Sequence, residues 1–295
     1  MANKQRLLAT DLDGTFLASD GRVTVENKAA LHATHESDLE VIFVTGRPAR
    51  WLRGVADAAE HYNLIVGANG GFIADMRRME VIQANTADGN ALQHVVEKIL
   101  QKFPDAHFAI ERSFVGMPIA SSTGLEYKEM NVSELSDFEF AVTPGYETRW
   151  KISQTIPVAT IDELITQSDI TKLLIKPSSP EGWNSDTWLA EVQPLVGDLL
   201  QTTHASQDVV LAEVSAKGVT KATALAHVAA EMSIAARNVT AVGDMPNDVP
   251  MLEWAGEAWA VANAHDEVLA VTTNRLPHHD ESPVAQLIHD LLSRN

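Results

Sequence analysis

The stretch Leu7-Leu8-Ala9-Thr10-Asp11-Leu12-Asp13-Gly14-Thr15 decides the reading of this chain. Its apolar start is long enough for one buried strand, and it ends on two aspartates one residue apart. Gly14 and Thr15 follow, a pair that turns the chain and bares its amides. Alternate side chains of an extended segment share a face, so both carboxylates can address one small site. An acidic pair past the carboxyl end of a buried strand suits Mg²⁺ and phosphoryl chemistry. One carboxylate can attack phosphorus while the other manages a proton. The same residues also compose an ordinary polar turn, so the choice rests on the remainder of the chain.

Outward from that stretch, residues 24–35 read as a helix and 39–44 as a second strand. The second strand ends on Thr45-Gly46-Arg47-Pro48, with Pro48 where a helix would begin. A hydroxyl and backbone amides there make a ready anion site, although Thr45 could equally be a plain helix cap. A third strand over 64–68 closes on Asn69-Gly70-Gly71. Strands alternating with helical patterns indicate a doubly wound parallel sheet, in which ligands sit outside the carboxyl ends of the strands. The pattern returns late in the chain. Lys217-Gly218-Val219-Thr220-Lys221 opens a helix, and a strand over 239–242 ends on Gly243-Asp244-Met245-Pro246-Asn247-Asp248. Mg²⁺ takes about six oxygens and keeps some waters, so two or three oxygens from separate strand ends would hold it. Lys221 opposes the dipole at a helix start, which favours a local role for its charge.

Between these parts the pattern changes. A helix over 90–103 precedes short strand-like pieces at 107–111, 138–143 and 171–176, with further helices at 162–167 and 185–196. We therefore expect an α/β fold: a Rossmann-like core from residues 1–83 and 210–295, with an inserted α+β domain at 84–209.

The net charge of −18 argues against nucleic-acid partners and anionic membrane surfaces. An anionic substrate would then need a metal and local Lys or Arg. The chain has no cysteine, hence no disulfide, thiolate site or cysteine nucleophile. Its N-terminal apolar run is too short for a signal peptide and no later run could span a bilayer, so a cytoplasmic protein is expected. Nothing in the sequence sets an oligomeric state.

Together these marks resemble a Cof-type, type IIB phosphatase of the haloacid dehalogenase superfamily. Asp11-Leu12-Asp13-Gly14-Thr15 resembles its first motif and Thr45-Gly46-Arg47-Pro48 its second. Gly218-Val219-Thr220-Lys221 with Ala224-Leu225 resembles the third, and Gly243-Asp244 with Asn247-Asp248 and Met251-Leu252 the fourth. Asn69-Gly70 matches a recurring family feature. The resemblance implies a mobile cap inserted between the second and third motifs, Mg²⁺ as cofactor and an aspartyl-phosphate intermediate. By it Asp11 is the nucleophile and Asp13 the acid and base. Mg²⁺ would be held by Asp11, the Asp13 carbonyl and Asp244. Thr45, with Gly46 in its turn, and Lys221 would bind phosphoryl oxygens and Asn247 would contact phosphate. Asp248 would ligate through water or orient Lys221. Asn69 is a candidate substrate contact, and Arg47 a candidate leaving-group contact or equally a structural ion pair. Arg112, Trp150, Lys176 and Trp183 are candidate cap residues for which core or surface packing is the commoner fate. A small phosphorylated metabolite, such as a sugar phosphate, is the implied substrate.

Two departures stand out. Ala222 follows Lys221 where the family usually has glycine. An acidic, glycine-containing loop is replaced by His278-His279-Asp280-Glu281-Ser282-Pro283-Val284. Adjacent histidines with acids could bind a metal, but neighbours in an extended chain should point apart, so a surface loop is expected. Two other readings carry forward: a phosphomutase of the same superfamily, and a non-catalytic metal or phosphate sensor. A nucleotide-sugar transferase built on Asp-x-Asp would leave the later motifs unexplained.

Overall fold

The quoted stretch forms β1 (Arg6–Thr10), whose Leu7, Leu8 and Ala9 are fully buried. Leu8 packs with Phe16, Leu31, Phe43 and Ile288, while Leu7 and Ala9 pack with Leu225, Val228 and Ala241 on the opposite face. Alternation along one strand thus supplies two separate layers of helix with their anchors, each buried leucine contributing about 1.5–3 kcal/mol. The computed structural model describes residues 4–119, 126–129, 138–147, 155–204, 206 and 209–294.

The chain continues through α1 (Val25–Ala33), β2 (Leu39–Val44), α2 (Leu52–Ala59) and β3 (Leu64–Gly67), then a hairpin of β4 (Phe72–Asp75) and β5 (Glu80–Ala84). Thr24 caps α1, its hydroxyl accepting from Asn27 N at 3.1 Å, and Thr34 folds its hydroxyl back on Leu31 O at 2.8 Å. The helix therefore stops short of the expected residue 35. The hairpin is absent from the sequence reading, because four- and five-residue strands around an Arg77-Arg78 turn show too little periodicity.

The inserted segment carries α3 (Gly89–Lys102), β6 (His107–Arg112), β7 (Glu126–Glu129), β8 (Phe140–Val142) and β9 (Thr155–Val158). It goes on through α4 (Ile161–Ile165), β10 (Ile170–Lys176), α5 (Ser185–Val196), β11 (Gln201–Thr203) and β12 (Ala212–Ser215). The chain then returns through α6 (Lys221–Glu231), β13 (Val239–Gly243), α7 (Val249–Trp254), β14 (Glu257–Val261), α8 (Asp266–Val271), β15 (Asn274–Leu276) and α9 (Pro283–Ser293).

Two sheets result. The first runs β15-β14-β13-β1-β2-β3-β4-β5, parallel from β15 to β3 and antiparallel through the hairpin. The second runs β11-β12-β10-β6-β8-β9-β7 and is mostly antiparallel. Because β12 pairs with β10, the second sheet reaches past residue 209 to Ser215. Its helices cover one face, where Trp188, Phe108, Leu173 and Ile175 are buried with Val95 and Ile99. The alternate residues of β10, Lys172, Leu174 and Lys176, look the other way, toward the Gly46–Trp51 segment.

Candidate active site

β1, β2, β3 and β13 all deliver their carboxyl ends to one place. Asp11 N donates to Val242 O at 3.0 Å, which sets Asp11 beside the end of β13 and hence beside Asp244. Lys221 is the first residue of α6, after Thr220, whose hydroxyl accepts from Thr223 N at 3.2 Å. Its ammonium, 1% exposed, donates to Asp11 Oδ1 at 2.6 Å and to Asp248 Oδ1 at 2.5 Å. The other oxygen of Asp248 accepts from the backbone N–H groups of Asp244 and Met245, each at 3.0 Å. Asp248 therefore locks the turn that presents Asp244 and orients Lys221 at once.

Thr15, to which the sequence reading gave no role of its own, donates its hydroxyl to Asp244 Oδ1 at 2.9 Å. Gly14 has φ +76°, and a Cβ there would overlap Asp244 Oδ2, so the turn after Asp13 needs glycine for conformation and for room. Asn263 Nδ2 holds the Gly14 carbonyl at 2.8 Å.

Carboxylate oxygens of Asp11, Asp244 and Asp248 lie within 4.8 Å of one another, all three residues buried. Against them stands the single ammonium of Lys221, so two negative charges stay uncompensated when all three are ionised. Burial pushes the Asp11 carboxyl up to about 7; Lys221 opposes this, and Asp248 and Asp13 add to it. Burial likewise raises Asp244 well above the ordinary carboxylate range, helped by Asp11 and Asp248. Burial works against the Lys221 ammonium too, but Asp11 and Asp248 outweigh it and hold it above the usual lysine range. A hard, oxygen-only donor set with two surplus negative charges fits a divalent cation of the Mg²⁺ or Ca²⁺ kind.

Asp13 stands outside this buried group. Its carboxylate is half-exposed and gripped by Arg47, with Nε to Oδ2 at 2.7 Å and Nη2 to Oδ1 at 2.6 Å. Arg47 is thus an ion-pair partner of Asp13. Thr45 is buried, and its hydroxyl accepts from Arg47 N at 3.1 Å. Asn247 donates Nδ2 to Asn69 Oδ1 at 2.9 Å, and Asn69 donates Nδ2 to Glu213 Oε2 at 2.5 Å. Both ends of the Asn69 amide are therefore occupied, and Asn247 Oδ1 is left buried without a partner.

A cavity of about 150 Å³ opens between the Gly46–Trp51 segment and the second sheet, lined by Arg50, Trp51, Tyr146, Lys172, Lys176 and Glu213 among others. Of the four candidate cap residues, Lys176 lies on it. Arg112 is buried elsewhere, donating Nε to Ser168 O at 2.7 Å, and Trp183 packs edge-on against Phe103 and Trp188. Trp150 lies outside the described residues.

The His278 and His279 side chains do not point apart. A short 3₁₀ turn over His279–Glu281 brings their rings to 4.6 Å between centroids. His279 Nδ1 donates to Leu17 O at 2.7 Å, and Asp280 accepts from Ser19 N at 2.7 Å and from its hydroxyl at 2.6 Å. The loop pins the chain that leaves the Asp13 turn.

Three comparisons bear on this arrangement. Residues 8–288 match the family model of the haloacid dehalogenase-like hydrolases. The chain is 26% identical over 295 residues to a 5-amino-6-(5-phospho-D-ribitylamino)uracil phosphatase, YwtE, of Bacillus subtilis, covering 98% of each protein. It is 25% identical to the phosphatase YwpJ of the same organism, covering 97% of this chain and all of that one. The solved structure of the subclass IIB sugar phosphatase BT4131 superposes with a TM-score of 0.74 at 18% identity, over 97% of this chain and 99% of the other. No helix among the described residues is long and apolar enough to cross a membrane.

Proposed function

The chain belongs to the haloacid dehalogenase-like hydrolases, and we propose that it is a Mg²⁺-dependent phosphatase of small phosphorylated metabolites that works through an aspartyl-phosphate. The observation that carries this reading is the buried Asp11–Asp244–Asp248 group with its lone ammonium, at the carboxyl end of the parallel strands.

In this reading an oxygen of Asp11 attacks phosphorus as the bond to the leaving alcohol breaks. Lys221 keeps that carboxylate in place and takes up the charge of the phosphoryl oxygens, and Thr45 donates its hydroxyl to another. Asp13, half-exposed and paired with Arg47, carries a proton to the leaving oxygen once it leaves that ion pair. It then takes a proton from the water that cleaves the acyl-phosphate, returning Asp11 and releasing phosphate. Asp11 and Asp244, with the Asp13 carbonyl, would hold Mg²⁺, and Asp248 would orient the group around it. Bound there, the cation offsets the two surplus charges and the charge of the incoming phosphate. The inserted segment serves as the cap, and the cavity beside Trp51 and Lys176 takes the leaving group. The name of the structural neighbour BT4131 favours sugar phosphates within that class.

The test is phosphate release from a panel of phosphorylated metabolites, with Mg²⁺ and with chelator. Mg²⁺-dependent release supports the reading, and the ranking of substrates reports on the cap. A phosphorylated isomer in place of free phosphate would identify a mutase instead. Mg²⁺ binding without turnover of any compound would identify a sensor.

A further inference from the structure

Lys172 belongs to the second sheet, yet its ammonium serves the core. The side chain is 2% exposed and lies on the face of β10 that carries Leu174 and Lys176. It is flanked by Glu111 on β6, its cross-strand neighbour, with Nζ to Oε2 at 3.5 Å, and by Glu213 on β12 at 3.3 Å. Both distances are ion pairs beyond good hydrogen-bond length. The short bond goes elsewhere: Nζ donates to Gly46 O at 2.8 Å, 126 residues away in the chain. Neither carboxylate depends on Lys172 alone, since Arg50 donates to Glu111 Oε1 at 2.9 Å and Asn69 to Glu213 Oε2 at 2.5 Å. Burial works against the Glu111 carboxylate, but Lys172 and Arg50 hold its carboxyl below the ordinary range, so Glu111 stays ionised.

The consequence follows from peptide geometry. The Gly46 carbonyl and the Arg47 N–H belong to one planar trans peptide and point in opposite directions. A cation fixed on Gly46 O therefore aims Arg47 N–H away from the second sheet, and it meets Thr45 Oγ1 at 3.1 Å. With an oxygen lone pair engaged by Arg47 N–H, the Thr45 hydroxyl has its hydrogen left to donate. Thr45 is 1% exposed, so the direction of that donor is set by the protein and not by water.

We infer that Lys172 is a positioning residue: through the Gly46–Arg47 peptide it orients the Thr45 hydroxyl toward a bound phosphoryl group. This rests on the reading of Thr45 as a phosphoryl ligand given above. The phosphate-binding turn of the core is then complete only with the second sheet docked on it. Lys172 contacts no reacting atom, and Glu111 and Glu213 keep its charge buried and aimed.

The experiment compares wild type, Lys172→Met, Thr45→Val and the double variant, with inorganic phosphate binding measured by calorimetry beside steady-state hydrolysis of p-nitrophenyl phosphate. Phosphate has no leaving group, so a cap residue that only recognised substrate would not affect it. Lys172→Met is expected to weaken phosphate binding about ten-fold and to lower kcat, and to add almost nothing once Thr45 is valine. Where the single variant does not fold, Lys172→Met with Glu213→Gln removes the stranded carboxylate. The glutamine still accepts from Asn69, and the same four-way comparison is read on that background. Unchanged phosphate affinity, or losses that simply add to those of Thr45→Val, would overturn the inference. Wild type that binds phosphate but hydrolyses nothing would defeat the phosphatase reading alone, because the binding cycle still decides whether Lys172 acts through Thr45.

Discussion

Asp11→Asn is expected to abolish turnover and, in the metal-free protein, to increase stability. The carboxyl sits at about 7 when folded against an ordinary 3.8, chiefly through burial. A carboxyl raised on folding binds its proton more tightly in the native state, so stability falls as pH rises from about 4 to about 7 and stays lost above that. The displacement is worth about 4 kcal/mol at pH 8 and about 2 kcal/mol at pH 5, at about 1.4 kcal/mol per tenfold. Asparagine keeps the shape and still accepts from Lys221, but it carries no charge to strand. Urea unfolding in chelator at both pH values measures the effect. The variant is expected to gain about 4 kcal/mol on its parent at pH 8 and to lose the share of the parent's decline between pH 5 and pH 8 that Asp11 contributes, while the share from Asp244 remains. Saturating Mg²⁺ should stabilise the parent at pH 8, by about 2.7 kcal/mol at a hundred times Kd, and the variant far less. A variant no more stable than its parent in chelator at pH 8 would refute the claim that Asp11 is a buried charge awaiting a cation.

Gly14→Ala forces φ +76° on a residue with a side chain, costing about 1–2 kcal/mol, and drives its Cβ into Asp244. A lower Tm together with a higher Mg²⁺ requirement is expected, and a Mg²⁺ titration of activity reads the second part. Arg47→Met should change stability by less than about 1 kcal/mol, because Asp13 is half-exposed and water replaces the lost partner. Asp13→Asn should slow hydrolysis of alkyl phosphates more than of p-nitrophenyl phosphate, whose leaving group needs no proton; equal slowing of both would count against Asp13 as the acid. His61 is buried with Nε2 bonded to Val41 O at 2.8 Å, and burial depresses its imidazole from 6.5 to about 4. The unfolded chain then binds the proton first as pH drops, so stability is lost between about 6.5 and 4. His61→Gln should recover about 2 kcal/mol of the acid-side loss at pH 5 in urea unfolding, and an unchanged acid limb would exclude this cause.

The legible parts of the molecule are those in which position along a strand determines position in space. Asp11 and Asp244 each follow a run of buried β-branched and aliphatic residues, and parallel pairing of β1 with β13 aligns their ends. Lys221 was readable because Thr220 marks a helix start, and a lysine there opposes the dipole unless anions face it. The His278-His279 pair was misread for a local reason. Neighbouring side chains diverge in a strand, but a 3₁₀ turn advances three residues per turn and lets the two rings approach. Arg112 and Trp183 have the composition of a binding site and of a packed interior alike, and the structure takes the second course, their groups spent on Ser168 and on Trp188.

The contacts joining the two sheets were not legible, since Asn69 and Glu213 lie 144 residues apart and no local pattern predicts which strands face each other. Their energetics also differ from those of the core. Removing Lys172, Glu111, Glu213 and Arg50 from water costs several kcal/mol for each ion, and mutual attraction repays roughly that amount. A docked second sheet therefore gains little net stability from this cluster, whereas well-packed leucines in the same place would gain more. What the ions supply that leucines could not is direction: an ammonium on Gly46 O and a carboxylate on Asn69 each fix a polar group of the core in one orientation. Those two core groups lie beside Thr45 and Asn247, so the alignment is supplied where a phosphoryl group would be received, and only while the two sheets are in contact.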